Sequence, residues 1–156
     1  MLNVLFLDSC NTSHSLIAES ILRASGRGRF HAYSAGCVSS GVVSPDIIAF
    51  LRERNLAVEG LRSKGLRELT ASEAPPFAFV ITLSGTAAET VSERVLPGDP
   101  VIAHWHLDAD DAERGEPSVW AIRDAFWILS RRIRMFTSLP HGKASRHVLE
   151  NRLHAL

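Results

Sequence analysis

Cysteine is scarce in this chain of 156 residues: only Cys10 and Cys37 occur. Two are too few for a disulfide framework, and no CxxC pair offers a zinc ribbon or a thioredoxin-like redox motif. Neither sign of charge is in excess, with 17 Lys plus Arg against 17 Asp plus Glu. No overall field therefore draws the protein to nucleic acid or to an anionic membrane, and any anion recognition has to come from a local site. Long hydrophobic runs are missing as well. The stretch from Phe77 to Leu83 falls far short of a bilayer span. The opening Met1-Leu2-Asn3-Val4 lacks the basic region of a signal peptide, so a cytoplasmic location is expected. Internal repeats and low-complexity segments are also lacking, and the length suits one domain with a core of its own.

What is present is alternation. Apolar segments expected as strands at 2–8, 30–34, 77–83 and 100–104 are separated by segments expected as helices at 15–25, 45–55, 86–93 and 117–138. This order predicts a parallel sheet with helices on both faces, and the unbroken apolar Phe77-Ala78-Phe79-Val80-Ile81 reads as a strand buried on both sides. In the last long helix Ile122, Phe126, Leu129, Ile133 and Phe136 recur at spacings of four and three, giving one apolar stripe for the sheet. Pro140-His141-Gly142 ends that helix. The remainder, 140–156, is expected as a weakly helical C-terminal tail carrying Val148, Leu149, Leu153 and Leu156.

Chemistry is expected at Asp8-Ser9-Cys10-Asn11-Thr12-Ser13-His14-Ser15. An apolar strand enters this polar loop and a helix leaves it, which points backbone N–H groups at an anion beyond the carboxyl edge of the sheet. An aspartate at the start of such a loop opposes a foreign anion. Its carboxylate could instead accept the loop N–H groups itself, with His14 as its neutral or positive neighbour.

The order of several motifs resembles the low-molecular-weight protein tyrosine phosphatase family, and especially its thioredoxin-coupled arsenate reductase branch. These are Asn11 and Ser15, Tyr33-Ser34-Ala35-Gly36, Arg62-Ser63-Lys64, Phe79-Val80-Ile81-Thr82-Leu83, Ala87-Ala88-Glu89-Thr90, Pro97-Gly98, His104-Trp105 and Arg123-Asp124. The resemblance implies a three-layer α/β domain over 1–139 with a four-stranded parallel sheet. It implies no cofactor, and either a small anion or a protein as partner. Family members carry a Cys-x5-Arg-Ser loop, in which a thiolate attacks phosphorus or arsenic while the arginine fork holds the oxygens. By this resemblance Asp8 stands at the nucleophile position, His14 at the arginine and Ala109, flanked by Asp108 and Asp110, at the general acid. The resolving cysteines of arsenate reductases align with Ser84 and Val91. The expectation is a degenerate, catalytically inactive member with a regulatory, ligand-binding or protein-binding role. The alternative is residual phosphatase or arsenate reductase activity with Asp8 or Cys10 as nucleophile.

Other readings weigh less. Asp8-Ser9-Cys10-Asn11-Thr12 resembles the Asp-x-Asp-x-Thr motif of haloacid-dehalogenase-type phosphatases, but Cys10 replaces the acid–base aspartate. Asp8, His14, His104, His106, Asp108 and Asp110 include metal-ligand types without a metal-binding spacing, and read as polar residues lining a cleft, with no metal expected. Cys37 reads as packing, Arg62 and Lys64 as solvated, and Trp105, Trp120 and Trp127 as core or helix packing.

Overall fold

The computed structural model describes residues 1–71, 74–93, 96–107, 118–140 and 146–156. Its elements run β1 (Leu2–Asp8), α1 (His14–Ser25), β2 (Phe30–Gly36), α2 (Pro45–Glu53), a 3-10 turn (Leu66–Leu69), β3 (Phe79–Thr82), α3 (Gly85–Ser92), β4 (Val101–His104), α4 (Val119–Ser138) and α5 (Arg146–His154). The four strands form one parallel sheet in the order β2-β1-β3-β4. This is the expected α/β architecture, with strands and helices offset from the sequence expectation by a few residues at their ends.

Side chains along a strand alternate between faces, and here both faces are apolar. Val4 and Phe6 of β1 join Ile17, Leu22, Ile81, Leu129, Ile133 and Phe136 on one side. Leu5 and Leu7 join Ala35, Val80, Ala87 and Val91 on the other. The central strands β1 and β3 are thus covered twice, which explains why their sequences read as unbroken apolar runs. Helix α4 buries Ile122, Leu129, Ile133 and Phe136 of the expected stripe together with Ala125, while Phe126 is half-buried against the same core, and the helix packs against α1.

The tail forms a nine-residue helix, α5, packed against β4. Its Leu149 and Leu153 belong to the same core as α1 and α4, and Trp105 donates from Nε1 to the Leu153 carbonyl at 3.1 Å. Of the three tryptophans expected to pack, only Trp105 is buried, whereas Trp120 and Trp127 are 72% and 66% exposed.

The register brings the carboxyl ends of the strands to one edge: Asp8 lies beside Gly36, Leu7 beside Thr82, and Thr82 beside His104. In this strand order the neighbours of β1 follow it by opposite routes, and the crevice beyond the carboxyl end of β1 is where such sheets place a ligand. The loop from Asp8 to α1 lies there.

Candidate functional site: the loop after the first strand

Asp8 ends β1 with its side chain turned under the loop. Its Oδ1 accepts the Asn11 N–H at 2.6 Å and its Oδ2 accepts the Ser15 N–H at 3.0 Å. The second of these satisfies an otherwise orphaned donor in the first turn of α1, which Ser13 does not cap with its side chain. Burial pushes the Asp8 carboxyl above its ordinary 3.8, opposed by the hydrogen bonds from Ser15 and Asn11 and by neighbouring His14.

His14, the first residue of α1, is only 4% exposed. Its Nε2 has no hydrogen-bond partner. Burial holds the imidazole below its ordinary 6.5 against the pull of Asp8. A neutral imidazole presents one donor and one acceptor, so it cannot supply the planar charged fork that clamps two oxygens of a tetrahedral oxyanion.

The backbone between these two residues is held by a buried polar network. Asn11 sits at a left-handed φ of 56°. Its Nδ2 donates to Ser15 Oγ at 2.7 Å and to Ser34 Oγ at 3.1 Å, while its Oδ1 accepts the Lys64 N–H at 2.8 Å. Ser34 passes its own hydrogen to Glu19 Oε1 at 2.8 Å. Lys64 Nζ lies 3.7 Å from the same carboxylate oxygen. Arg23 lies 2.5 Å from the other, Oε2, at ion-pair distance but outside hydrogen-bonding angles. The expectation that Arg62 and Lys64 are merely solvated therefore fails for Lys64, which is buried and pushed below its ordinary 10.5 by that burial. Arg62 is exposed and pairs with Glu68.

The remaining loop residues pair outward. Ser9 Oγ meets Ser84 Oγ at 3.1 Å, and the Cys10 carbonyl accepts from the Ser40 N–H and the Ser63 hydroxyl. Gly36 is where β2 crosses under the loop: a Cβ there would lie 2.6 Å from the Cys10 carbonyl carbon and 2.7 Å from the Asn11 nitrogen. Only a glycine permits that approach. Cys37 packs in the second core cluster and accepts from Thr90 Oγ1 at 3.3 Å.

The expected His and Asp cleft is divided. His106 and His14 line one cavity of about 620 Å³, together with Leu107, Trp120, Asp124 and Arg132. His104 turns away from it: its Nδ1 bonds Thr82 Oγ1 at 2.5 Å and its ring lies 5.6 Å from that of His154. Burial, with His154 and His106 nearby, lowers its pKa. Asp108, Ala109 and Asp110 lie outside the described residues. Among the described residues no three metal-ligating side chains converge.

Residues 3–103 match the sequence model of the low molecular weight phosphotyrosine protein phosphatase family. The chain belongs to that family. No curated protein sequence matches it. Its fold is that of an arsenate reductase from Archaeoglobus fulgidus, which is 22% identical with a TM-score of 0.67 over 87% of this chain and 99% of that one. An arsenate reductase in an oxidized state is 24% identical with a TM-score of 0.69 over 88% and 98% of the two chains. A low-molecular-weight protein tyrosine phosphatase from T. tengcongensis is 21% identical with a TM-score of 0.61 over 86% and 96%.

Sequence reading singled out the loop, but not the charges beneath it. Glu19 and Lys64 belong to the site's support. The available signal was a glutamate on the apolar face of α1, four residues before Arg23 and one turn beyond Ser15.

Proposed function

We propose that this family member acts by binding and regulation, in the cytoplasm, and performs neither phosphate-ester hydrolysis nor arsenate reduction. The observation that carries the reading is the Asp8 carboxyl group, which accepts both the Asn11 and the Ser15 N–H groups. Those donors would otherwise face a tetrahedral oxyanion. A carboxyl group at the nucleophile's position fills the space, repels a second anion whenever it is ionised, and is a poor stand-in for a thiolate. His14, neutral and buried, supplies no compensating charge. In this proposal the domain comprises 1–139 and the tail 140–156 serves as its C-terminal cover.

The test pairs activity with occupancy. The parent protein turns over no aryl phosphate and couples no arsenate to thiol oxidation, and calorimetry with inorganic phosphate gives no heat of binding. Asp8→Ala frees the two N–H groups, so phosphate raises the melting temperature of that variant while leaving the parent's unchanged. Parent turnover that disappears in Asp8→Ala and survives in Cys10→Ser would replace this reading with an aspartyl nucleophile. Turnover lost in Cys10→Ser would instead assign the thiol.

A further inference from the structure

The outward face of α4 borders the cavity beside His14 at one end and continues well beyond it, and its composition is unusual. Trp120, Asp124, Trp127, Arg131, Arg134 and Ser138 follow spacings of four, three, four, three and four, so they form one stripe along the helix, opposite the stripe that enters the core. All six are exposed. Ile128 and Met135 flank the stripe and are exposed too. On the other side Arg123 lies over the Trp120 ring, 5.5 Å from its centroid, holding that indole in place. The face carries tryptophan, arginine, isoleucine and methionine without a single lysine or glutamate, the residue usage of a protein–protein contact rather than of a solvated helix.

We propose that this stripe is a self-association surface, on which α4 of a second copy packs antiparallel to form a two-fold dimer. The stripe is self-complementary. In an isologous contact, residue i meets j of the partner and j meets i. Centring two antiparallel α4 helices on residue 129 overlaps their full length. It sets Asp124 against Arg134 of the second copy, Trp127 against Arg131 of the second copy, and Trp120 against Ser138 of the second copy, each twice. Among the described residues neither Asp124 nor Arg134 makes an ion pair within its own chain, so both are available for this pairing. A guanidinium facing an indole is a favourable partner when water is excluded. Trp120, Asp124 and Trp127 also line the cavity beside His14, so the second helix lies across that cavity's edge and makes access to it depend on association.

Sedimentation velocity on the full chain over a micromolar concentration series tests the proposal. The parent sediments with twice the monomer mass and dissociates on dilution. Trp127→Ala weakens the dimer at least about tenfold, as for a central tryptophan of an interface. Asp124→Arg and Arg134→Asp, each alone, give monomers, and the double variant Asp124→Arg/Arg134→Asp restores the dimer with the charges exchanged. These residues are exposed, so unchanged far-ultraviolet circular dichroism and melting temperature of the dilute variants confirm that each folds. A parent that stays monomeric throughout overturns the proposal. So does a dimer indifferent to Asp124→Arg, or a double variant that stays monomeric.

Discussion

Asp8 and His14 open and close the same loop, and in the proposed reading both replace reactive side chains, yet the fold treats them differently. Asp8 is integrated: both carboxyl oxygens accept backbone N–H groups. His14 is tolerated: it is buried, and its Nε2 finds no partner. The difference shows which half of the loop is built around its present side chain. A carboxyl group has the acceptors that a ring of N–H groups requires, whereas an imidazole in place of a guanidinium neither reaches nor charges the same space. The loop is thus self-sufficient at its floor and left open at its exit.

The sharpest way to break that contrast is Asp8→Ala. It strands two buried N–H donors, and urea unfolding should register a loss of about 3 kcal/mol. A loss under about 1 kcal/mol would mean that the carboxyl group is no better integrated than His14. Next in size is Asn11→Ala, which deletes the side chain joining Ser15, Ser34 and Lys64 and places alanine at a left-handed φ. About 2 kcal/mol is expected by the same measurement. Asn11→Gly separates the two causes by removing the backbone strain.

Asp8→Asn should cost about 1 kcal/mol, because the amide offers one acceptor where the carboxyl group offers two. Its pH profile sharpens the comparison further. Burial raises Asp8 above 3.8, so the native state binds this proton more tightly than the unfolded chain. Stability contributed by Asp8 is full below 3.8 and is lost as pH rises through the raised value. That downward slope is absent from Asp8→Asn.

The smallest effect belongs to His14→Phe, with less than about 0.5 kcal/mol expected at neutral pH, since no hydrogen bond is removed. Here the pH dependence has the opposite sign. His14 is lowered from 6.5, so the unfolded chain binds more protons between the lowered value and 6.5, and the parent loses stability on acidification through that window. Thermal unfolding of His14→Phe between pH 5 and 7 should lack this loss. A variant that acidifies like the parent would show that His14 titrates as it does in the unfolded chain.

Much of the architecture was legible before any coordinates. The double coverage of β3 is written in Phe79-Val80-Ile81, and the inward stripe of α4 in its spacing of four and three. Both are local patterns that burial imposes directly. The loop was legible because a strand, a polar turn and a helix follow one another without interruption. What escaped were features set by packing between distant segments. Lys64 is paired because β2 and the chain beyond it bring it 3.7 Å from Glu19, 45 positions earlier in a sequence whose periodicity says nothing of such pairs. Trp120 and Trp127 carry the largest side chains of α4, yet they lie on the stripe opposite the sheet, so burial by residue type misplaced them. The short hydrophobic spacing of 148–156 did not show where α5 docks: Leu149 and Leu153 enter the core, and Trp105 bonds the Leu153 carbonyl.

The pairing of α1 with α4 also bears on how the chain is made. Ile17, Ile21 and Leu22 leave the ribosome early, but the surface that covers them includes Leu129, Ile133 and Phe136, more than a hundred residues later. Translation therefore holds an adhesive first helix exposed for most of its course, and a message truncated before Val119 would yield a product fit for chaperones or proteases and not for folding.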